Sequence, residues 1–318
     1  MKLAPKLGKR QFSLKDYSRK RNQILINRET GGLGDILMHR MMFEDIKKSG
    51  LEIHFACPKQ YHAAVQDHPY LDKVLDSETV SPYEYLASYN TTTACGRYES
   101  RIAPLSGLHR SDIWSKHCGF DLTNHEMHIN LSQEEVMFGK NLLCGLNTRM
   151  KPTVAVCPVS AQGSKNLVGV QVSGVIDGLR DMGFMPFGLH TKPVPEIDAK
   201  KSPMVHGLDI RQWMGVMNAA DYVVAVDTSA FHLAGGLKKP LVGIFSFADG
   251  DVYSKYYPSV ELIQKHRNRD PEWTCGPCYA WVTCPKSKLL RKPCITEITA
   301  QQIMDGFSRL LEKYPKKY

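Results

Sequence analysis

Asp221–Ser246 reads DYVVAVDTSAFHLAGGLKKPLVGIFS, and its interpretation decides the fold. Tyr222–Val226 and Leu241–Phe245 are near-continuous apolar runs, the pattern of parallel strands covered on both faces. Between them come a sharp turn at Asp227-Thr228-Ser229, a short helical run Ala230–Leu237, and a second turn at Lys238-Lys239-Pro240. A strand that ends in Asp-Thr-Ser and opens into a helix leaves backbone N–H groups and a helix N-terminus pointing outward. That arrangement suits an anion, a phosphate above all.

The same alternation runs through the rest of the chain. Gln23–Asn27 predicts a strand, and the glycine-rich turn Arg28–Asp35 leads into a helix over Ile36–Ser49 that stops at Gly50. Glu52–Cys57 and Lys73–Leu75 predict further strands, with a helical piece near Tyr61–Gln66 between them. Residues 77–108 have no decisive periodicity. His109–Cys118 and Gln133–Leu143 predict helices, the latter capped by Ser132, and Asn147–Pro152 has the character of a linker. The pattern then restarts with a strand at Thr153–Cys157, a polar loop at Pro158–Asn166 and a helix at Leu167–Met182. Phe184–Leu189 predicts a strand and Ile210–Ala220 a helix that feeds the quoted stretch. Such strand–helix alternation is the mark of doubly wound α/β domains. The expected organisation is a basic arm at 1–22, an N-terminal Rossmann-like domain at 23–147, a C-terminal one at 148–299, and a final amphipathic helix within 300–318. Two such domains facing each other form a cleft at the carboxyl ends of their strands, where α/β proteins bind ligands.

At 318 residues, 42% hydrophobic and 23% charged, the composition is that of a globular protein with room for two cores. No apolar run approaches the ~20 residues of a membrane span, so the chain is not expected to be transmembrane. The net charge is +9 (41 Lys and Arg against 32 Asp and Glu), and residues 1–22 hold eight of the basic residues against Asp16 alone. The basicity is therefore local to an arm suited to phosphate-rich partners such as lipid head groups, lipopolysaccharide or nucleic acid; a solvated tail is the plainer alternative. The opening segment lacks the apolar core of a secretory signal. With nine cysteines, this points to a reducing, cytoplasmic compartment, with a peripheral position at the inner membrane face also compatible.

Taken in order, these features resemble glycosyltransferase family 9, the heptosyltransferases of lipopolysaccharide assembly, which have the two-domain GT-B fold. The resemblance rests on the strand, glycine turn and Gly34-Asp35 before the first helix, and on Val226-Asp227-Thr228-Ser229-x-x-His232-x-Ala234 followed by Pro240 and a buried strand. His109-Arg110-Ser111-Asp112 resembles a further family segment. The chain departs from the family at Ser229, where glycine is usual, and at Met41, where proline is usual. The likeness spans about residues 22–300 and leaves the basic arm outside.

The resemblance implies an inverting transfer from a nucleotide diphosphate sugar, with an ADP-sugar favoured. Asp35, at the junction of a glycine turn and a helix N-terminus, would be the general base that deprotonates the acceptor hydroxyl; its residue type and place also suit a helix N-cap. Gly34 permits close approach of the backbone to a ligand. Lys165 would neutralise the leaving diphosphate, with Ser160 and Ser164 adding hydrogen bonds, although a loop lysine can equally be solvated. Thr228, Ser229 and Ala230 would offer N–H and hydroxyl donors to the phosphates, Asp227 would face the donor sugar or fix the turn, and His232 would face the phosphates or pack in the core. No catalytic divalent metal is expected, since the fold the resemblance implies normally needs no Mg²⁺.

Cys275-x2-Cys278-x5-Cys284-x9-Cys294 has the spacing of a thiolate site for structural Zn or Fe. It looks like the iron finger of bacterial autotransporter heptosyltransferases; chance clustering and reactive thiols are the other readings. The acceptor stays open among lipopolysaccharide core, a protein hydroxyl and nucleic acid, the last through a DNA-modifying glycosyltransferase acting on a hydroxylated base. A non-catalytic protein that binds nucleotide sugars or nucleic acid is the rival from a different class, favoured by Ser229 and Met41.

Overall fold

The computed structural model of the chain describes residues 22–99, 107–147, 150–267, 269–279, 284–289 and 291–315. Residues 1–21 of the basic arm and positions 280–283 of the cysteine-rich segment lie outside them.

In the N-terminal half, β1 (Gln23–Asn27) leads into α1 (Leu33–Lys48), followed by β2 (Glu52–Cys57), β3 (Lys73–Asp76) and β4 (Ala87–Asn90). All pairings are parallel, in the order β3-β2-β1-β4. β1 is buried on both faces from Ile24 to Asn27, as its unbroken apolar run requires. Strand β4 was not foreseen. Its sequence ASYN is short, half exposed and polar, as an edge strand can be. Helices α2 (Ala94–Arg97), α3 (Arg110–His117) and α4 (Gln133–Leu146) complete this half. Ser132 caps α4 as expected, its hydroxyl accepting from Glu135 N while the Glu135 carboxylate accepts from Ser132 N.

The second half holds β5 (Thr153–Cys157), α5 (Gly169–Asp181), β6 (Met185–Leu189), β7 (Met204–Val205), α6 (Ile210–Ala219), β8 (Tyr222–Val226), α7 (Ser229–Gly236) and β9 (Leu241–Phe245). Next come α8 (Gly250–Tyr253), β10 (Val260–Gln264), α9 (Pro293–Thr296) and α10 (Ala300–Lys313). The described strands form a parallel sheet in the order β10-β9-β8-β5-β6-β7. Both strands of the quoted stretch appear where the apolar runs put them, fully buried. The helix between them starts one residue earlier than expected, at Ser229, with Thr228 at the N-cap position. The edge strands β7 and β10 were missed. The final helix packs on α5, β9 and β10, burying Ile303, Met304, Phe307 and Leu310 in one core with Val154, Val224 and Val242.

The halves meet through several sets of contacts, two of them close approaches of backbone. Helix α4 crosses α6 with backbones nearly touching: a β-carbon on Gly139 would lie 2.1 Å from Gly215 O, and one on Gly215 would lie 2.3 Å from Glu135 O. Only glycine at both positions permits that approach. The second set brings α1 against α7, at the carboxyl ends of both sheets. There, a β-carbon on Gly34 would lie 2.9 Å from His232 Cδ2 and 3.6 Å from Ser229 N. The two turns singled out in the sequence therefore abut. Among the described residues no helix is long and apolar enough to cross a membrane.

Candidate active site

Strand order fixes where a ligand can sit. In the N-terminal sheet the chain reverses direction of winding between β1 and β4, and in the C-terminal sheet between β5 and β8. The loops that leave these strands diverge and open a crevice at each switch point. Arg28–Asp35 follows β1, the Lys165 loop follows β5, and Asp227–Ser229 follows β8. The crevices face each other across one cavity of about 560 Å³. Gly34, Asp35, Ser160, Lys165, Asp227, Thr228, Ser229, Ala230 and His232 all line it. Ser164 does not: it is 7% exposed, turned into the structure, and absent from the lining, so its expected place beside the diphosphate is not seen.

Asp35 does not cap α1. Gly32 occupies the N-cap position, and Asp35 lies in the first turn with its carboxylate between two arginines. Arg28 Nη2 donates to Oδ2 at 2.8 Å and Arg110 Nη1 to Oδ1 at 2.6 Å. Gly31 adopts φ +136°, and a β-carbon there would collide with both the Arg28 guanidinium and Asp35 Oδ2. Glycine is thus required for the arginine to reach the carboxylate. Burial alone would raise the Asp35 pKa, but the positive charges of Arg110 and Arg28 outweigh it and hold the carboxyl well below the usual range. Below it, His39 donates from Nδ1 to the Asp35 carbonyl at 2.8 Å and stacks on Trp114 at 3.8 Å. Burial, aided by Arg28, pushes that imidazole down to about 3, so it stays neutral.

The arginines are held differently. Arg28 Nη1 donates to the carbonyls of Thr91 and Thr92, just beyond β4, which fixes it to the backbone. Arg110 is gripped by side chains: Nε and Nη2 fork onto Glu99 at 2.5 and 2.8 Å. Tyr253 of the C-terminal half places its ring 5.1 Å from the guanidinium carbon and donates its hydroxyl to Glu99 at 3.2 Å.

On the facing wall Lys165 Nζ lies 2.7 Å from Asp227 Oδ2, over the Phe247 ring at 5.4 Å. Asp227 is therefore paired with the lysine through Oδ2, as a residue that fixes the turn would be. His232 is 3% exposed and lies 2.8 Å from the Tyr257 hydroxyl through Nδ1, with Nε2 4.0 Å from Asp227. Burial outweighs the pull of Asp227 and takes its pKa down to about 4, so it is a neutral packed ring at the cavity wall. Phe231 and His232 N–H donate to the Thr228 carbonyl, whereas the Ser229 and Ala230 N–H groups that precede them have no partner within the helix and the Thr228 side chain caps neither. They remain donors for a ligand.

Sequence reading missed Arg28, Glu99 and Tyr253, and gave Arg110 no role. Arg28 offered a signal, because it is the first residue beyond β1. Glu99 and Tyr253 offered none, since they reach the site only through tertiary packing.

Away from the cavity, burial and the negative charges of Cys278, Cys284 and Cys275 raise the Cys294 thiol to about 12. The four thiols therefore share one electrostatic neighbourhood. Among the described residues, however, the group of potential donors drawn within 4.8 Å of one another is Asp249, Asp251 and His266, and not the cysteines. Asp251 in that group is already bound by Arg269.

Residues 195–276, which contain the Asp227–His232 wall, match the family model described as glycosyltransferase family 9 (heptosyltransferase). No curated protein matches the chain in sequence. Among solved structures, the ADP-heptose lipopolysaccharide heptosyltransferase II of E. coli superposes with TM-score 0.66 at 14% identity, covering 92% of this chain and all of that one. A family 9 glycosyl transferase from Veillonella parvula gives 0.67 at 11% identity, covering 92% of this chain and 97% of the other. The iron-containing dodecameric glycosyltransferase TibC of enterotoxigenic E. coli gives 0.65 at 13%, covering 92% and 77%. These likenesses establish the GT-B fold, and the matched segment adds the family's donor-side stretch. Residues 195–276 are thus similar to glycosyltransferase family 9, and the chain as a whole shares the fold of the heptosyltransferases it superposes on.

Proposed function

We propose that the protein transfers a sugar, with inversion, from a nucleotide diphosphate sugar to an acceptor hydroxyl. One observation carries this reading: Asp35 of one half and Lys165, Thr228 and Ser229 of the other line a single cavity. A carboxylate, and opposite it a lysine and a helix N-terminus, are the groups such a displacement needs on its two sides. The acceptor hydroxyl approaches from the Asp35 side and its oxygen attacks the anomeric carbon. Its proton passes to Asp35 as the bond to the diphosphate breaks. Charge growing on the departing diphosphate is met by Lys165 and by the N–H groups at the start of α7. An ADP-sugar is the favoured donor, since TibC has been solved with ADP-D-β-D-heptose and the E. coli heptosyltransferase WaaC with ADP. Lipopolysaccharide core or a protein hydroxyl is the proposed acceptor.

The cysteine-rich segment is proposed to hold a structural Zn or Fe ion through Cys275, Cys278, Cys284 and Cys294. A cation among them would favour the thiolate form, including that of Cys294, whose thiol burial otherwise keeps protonated. A four-thiolate site has no open position, so the ion would brace the segment and take no part in the transfer.

The test is a thermal-shift screen with ADP-, UDP- and GDP-sugars, followed by turnover of the stabilising donor. The reading requires a shift with at least one donor and a large loss of turnover in Asp35→Asn. Equal turnover by Asp35→Asn and the parent protein would remove Asp35 as the base.

A further inference from the structure

Each cation that lines the cavity is already matched to a carboxylate. Among the described lining residues, Lys165 is paired with Asp227, and Arg110 with Asp35 and Glu99. Among the described residues a diphosphate entering this space meets no unmatched lysine or arginine on the walls, so a described cation receives it by changing partners. We infer that Arg110 is such a cation, turning its Nη1 group from Asp35 to the donor's diphosphate while Glu99 keeps hold of the rest of the guanidinium.

The hydrogen bonds divide in the way this requires. Glu99 takes Nε and Nη2 as a fork, a strong bidentate grip that can serve as a pivot. Only Nη1 lies on Asp35. Arg28 cannot exchange in the same manner, because its Nη1 is tied to two backbone carbonyls and it does not line the cavity. The journey is short. Gly34, next to Asp35, packs against the Ser229 backbone at the start of α7, where the phosphates are proposed to lie.

The exchange has a chemical consequence. Gripped by two arginines, Asp35 is ionised but a feeble proton acceptor, and general-base efficiency rises with the basicity of the base. Departure of Arg110 leaves Asp35 facing Arg28, neutral His39 and neutral His232, with Glu99 nearby and the Tyr253 hydroxyl bound to it. Its basicity then rises while the donor is bound. The base is strengthened by the substrate it serves, which limits proton abstraction when no donor is present.

This inference rests on the reading of the cavity as a donor site, and the experiment separates the two. Binding of ADP, UDP and GDP, and of the matching nucleosides, is measured by calorimetry for the parent protein, Arg110→Gln and Arg110→Lys. The expected result is that Arg110→Gln weakens the preferred diphosphate by about tenfold or more, as loss of a charged hydrogen bond implies, and leaves its nucleoside within about twofold. Arg110→Lys, which keeps the charge and the fold if the glutamine variant does not fold, should fall between. In parallel, the Asp35 carboxyl is followed by 13C NMR. Its titration midpoint should rise when the diphosphate is added to the parent, and should already be raised in Arg110→Gln. Equal loss of nucleoside and diphosphate affinity, or loss of neither, overturns the role of Arg110. Failure of every diphosphate to bind the parent removes the donor-site reading, and this inference with it.

Discussion

Lys165 Nζ and Asp227 Oδ2 stand 2.7 Å apart, joining the loop after β5 to the turn after β8 across the switch point of the C-terminal sheet. The pair is largely buried, with side-chain exposures of 19% and 5%. It holds the wall together and, in the function proposed above, also presents a cation to the donor.

Those duties separate by mutation. Lys165→Met leaves Asp227 buried without its cation, at a cost of about 3–5 kcal/mol for a broken buried pair. Combining it with Asp227→Asn should recover most of that stability but not donor affinity. Chemical denaturation and donor titration on the three variants check this. Recovery of both properties in the double variant would show the pair to be structural only.

Asp35 predicts a pH signature. Its folded-state pKa is depressed, so its contribution to stability is fully present above the unfolded value near 4 and is lost as pH falls below it. Asp35→Asn lacks that contribution and leaves two arginines facing a neutral group. Its melting temperature should lie below that of the parent at pH 7, with the gap closing as the pH falls toward 3. Turnover of the variant at neutral pH should drop by about 10²–10⁴-fold.

Gly139 and Gly215 predict a packing effect far from the cavity. Gly139→Ala places a β-carbon 2.1 Å from Gly215 O, a contact that backbone must move to relieve. Overpacking of this kind costs about 1–3 kcal/mol or more. Because α4 and α6 belong to different halves, the displacement should also lower turnover. A Gly139→Ala protein with the stability and turnover of the parent would argue against rigid coupling at this crossing.

The cysteine segment predicts bound metal. Purified protein should carry close to one equivalent of Zn or Fe, and Cys294→Ser should reduce both metal content and melting temperature. Elemental analysis decides the first, with less than about a tenth of an equivalent counting against the site. Turnover per folded molecule should change little, since the proposed ion is structural.

Much of the fold was legible because buried parallel strands must be apolar throughout. Tyr222–Val226, Leu241–Phe245, Gln23–Asn27 and Thr153–Cys157 all lie where their apolar runs placed them. β4 and β10 were not legible, because an edge strand need not be hydrophobic on both faces, and ASYN and VELIQ carry no such run. Within the candidate site, Asp35, Lys165 and Thr228 could be picked out because each follows a strand at a loop, a position set by local sequence.

The sequence by itself determined the two α/β halves, the turns that end their strands, and the residues those turns carry toward a cavity. Only the tertiary structure decided what those residues touch. Asp35 lies between Arg28 and Arg110, Arg110 is held by Glu99 under Tyr253, and Lys165 is closed onto Asp227. Hydrophobic periodicity is a local property, written over a few neighbouring residues. Side-chain hydrogen bonds and ion pairs join residues far apart, 154 positions in the case of Tyr253 and Glu99, and depend on distances that exist only once the sheets have packed.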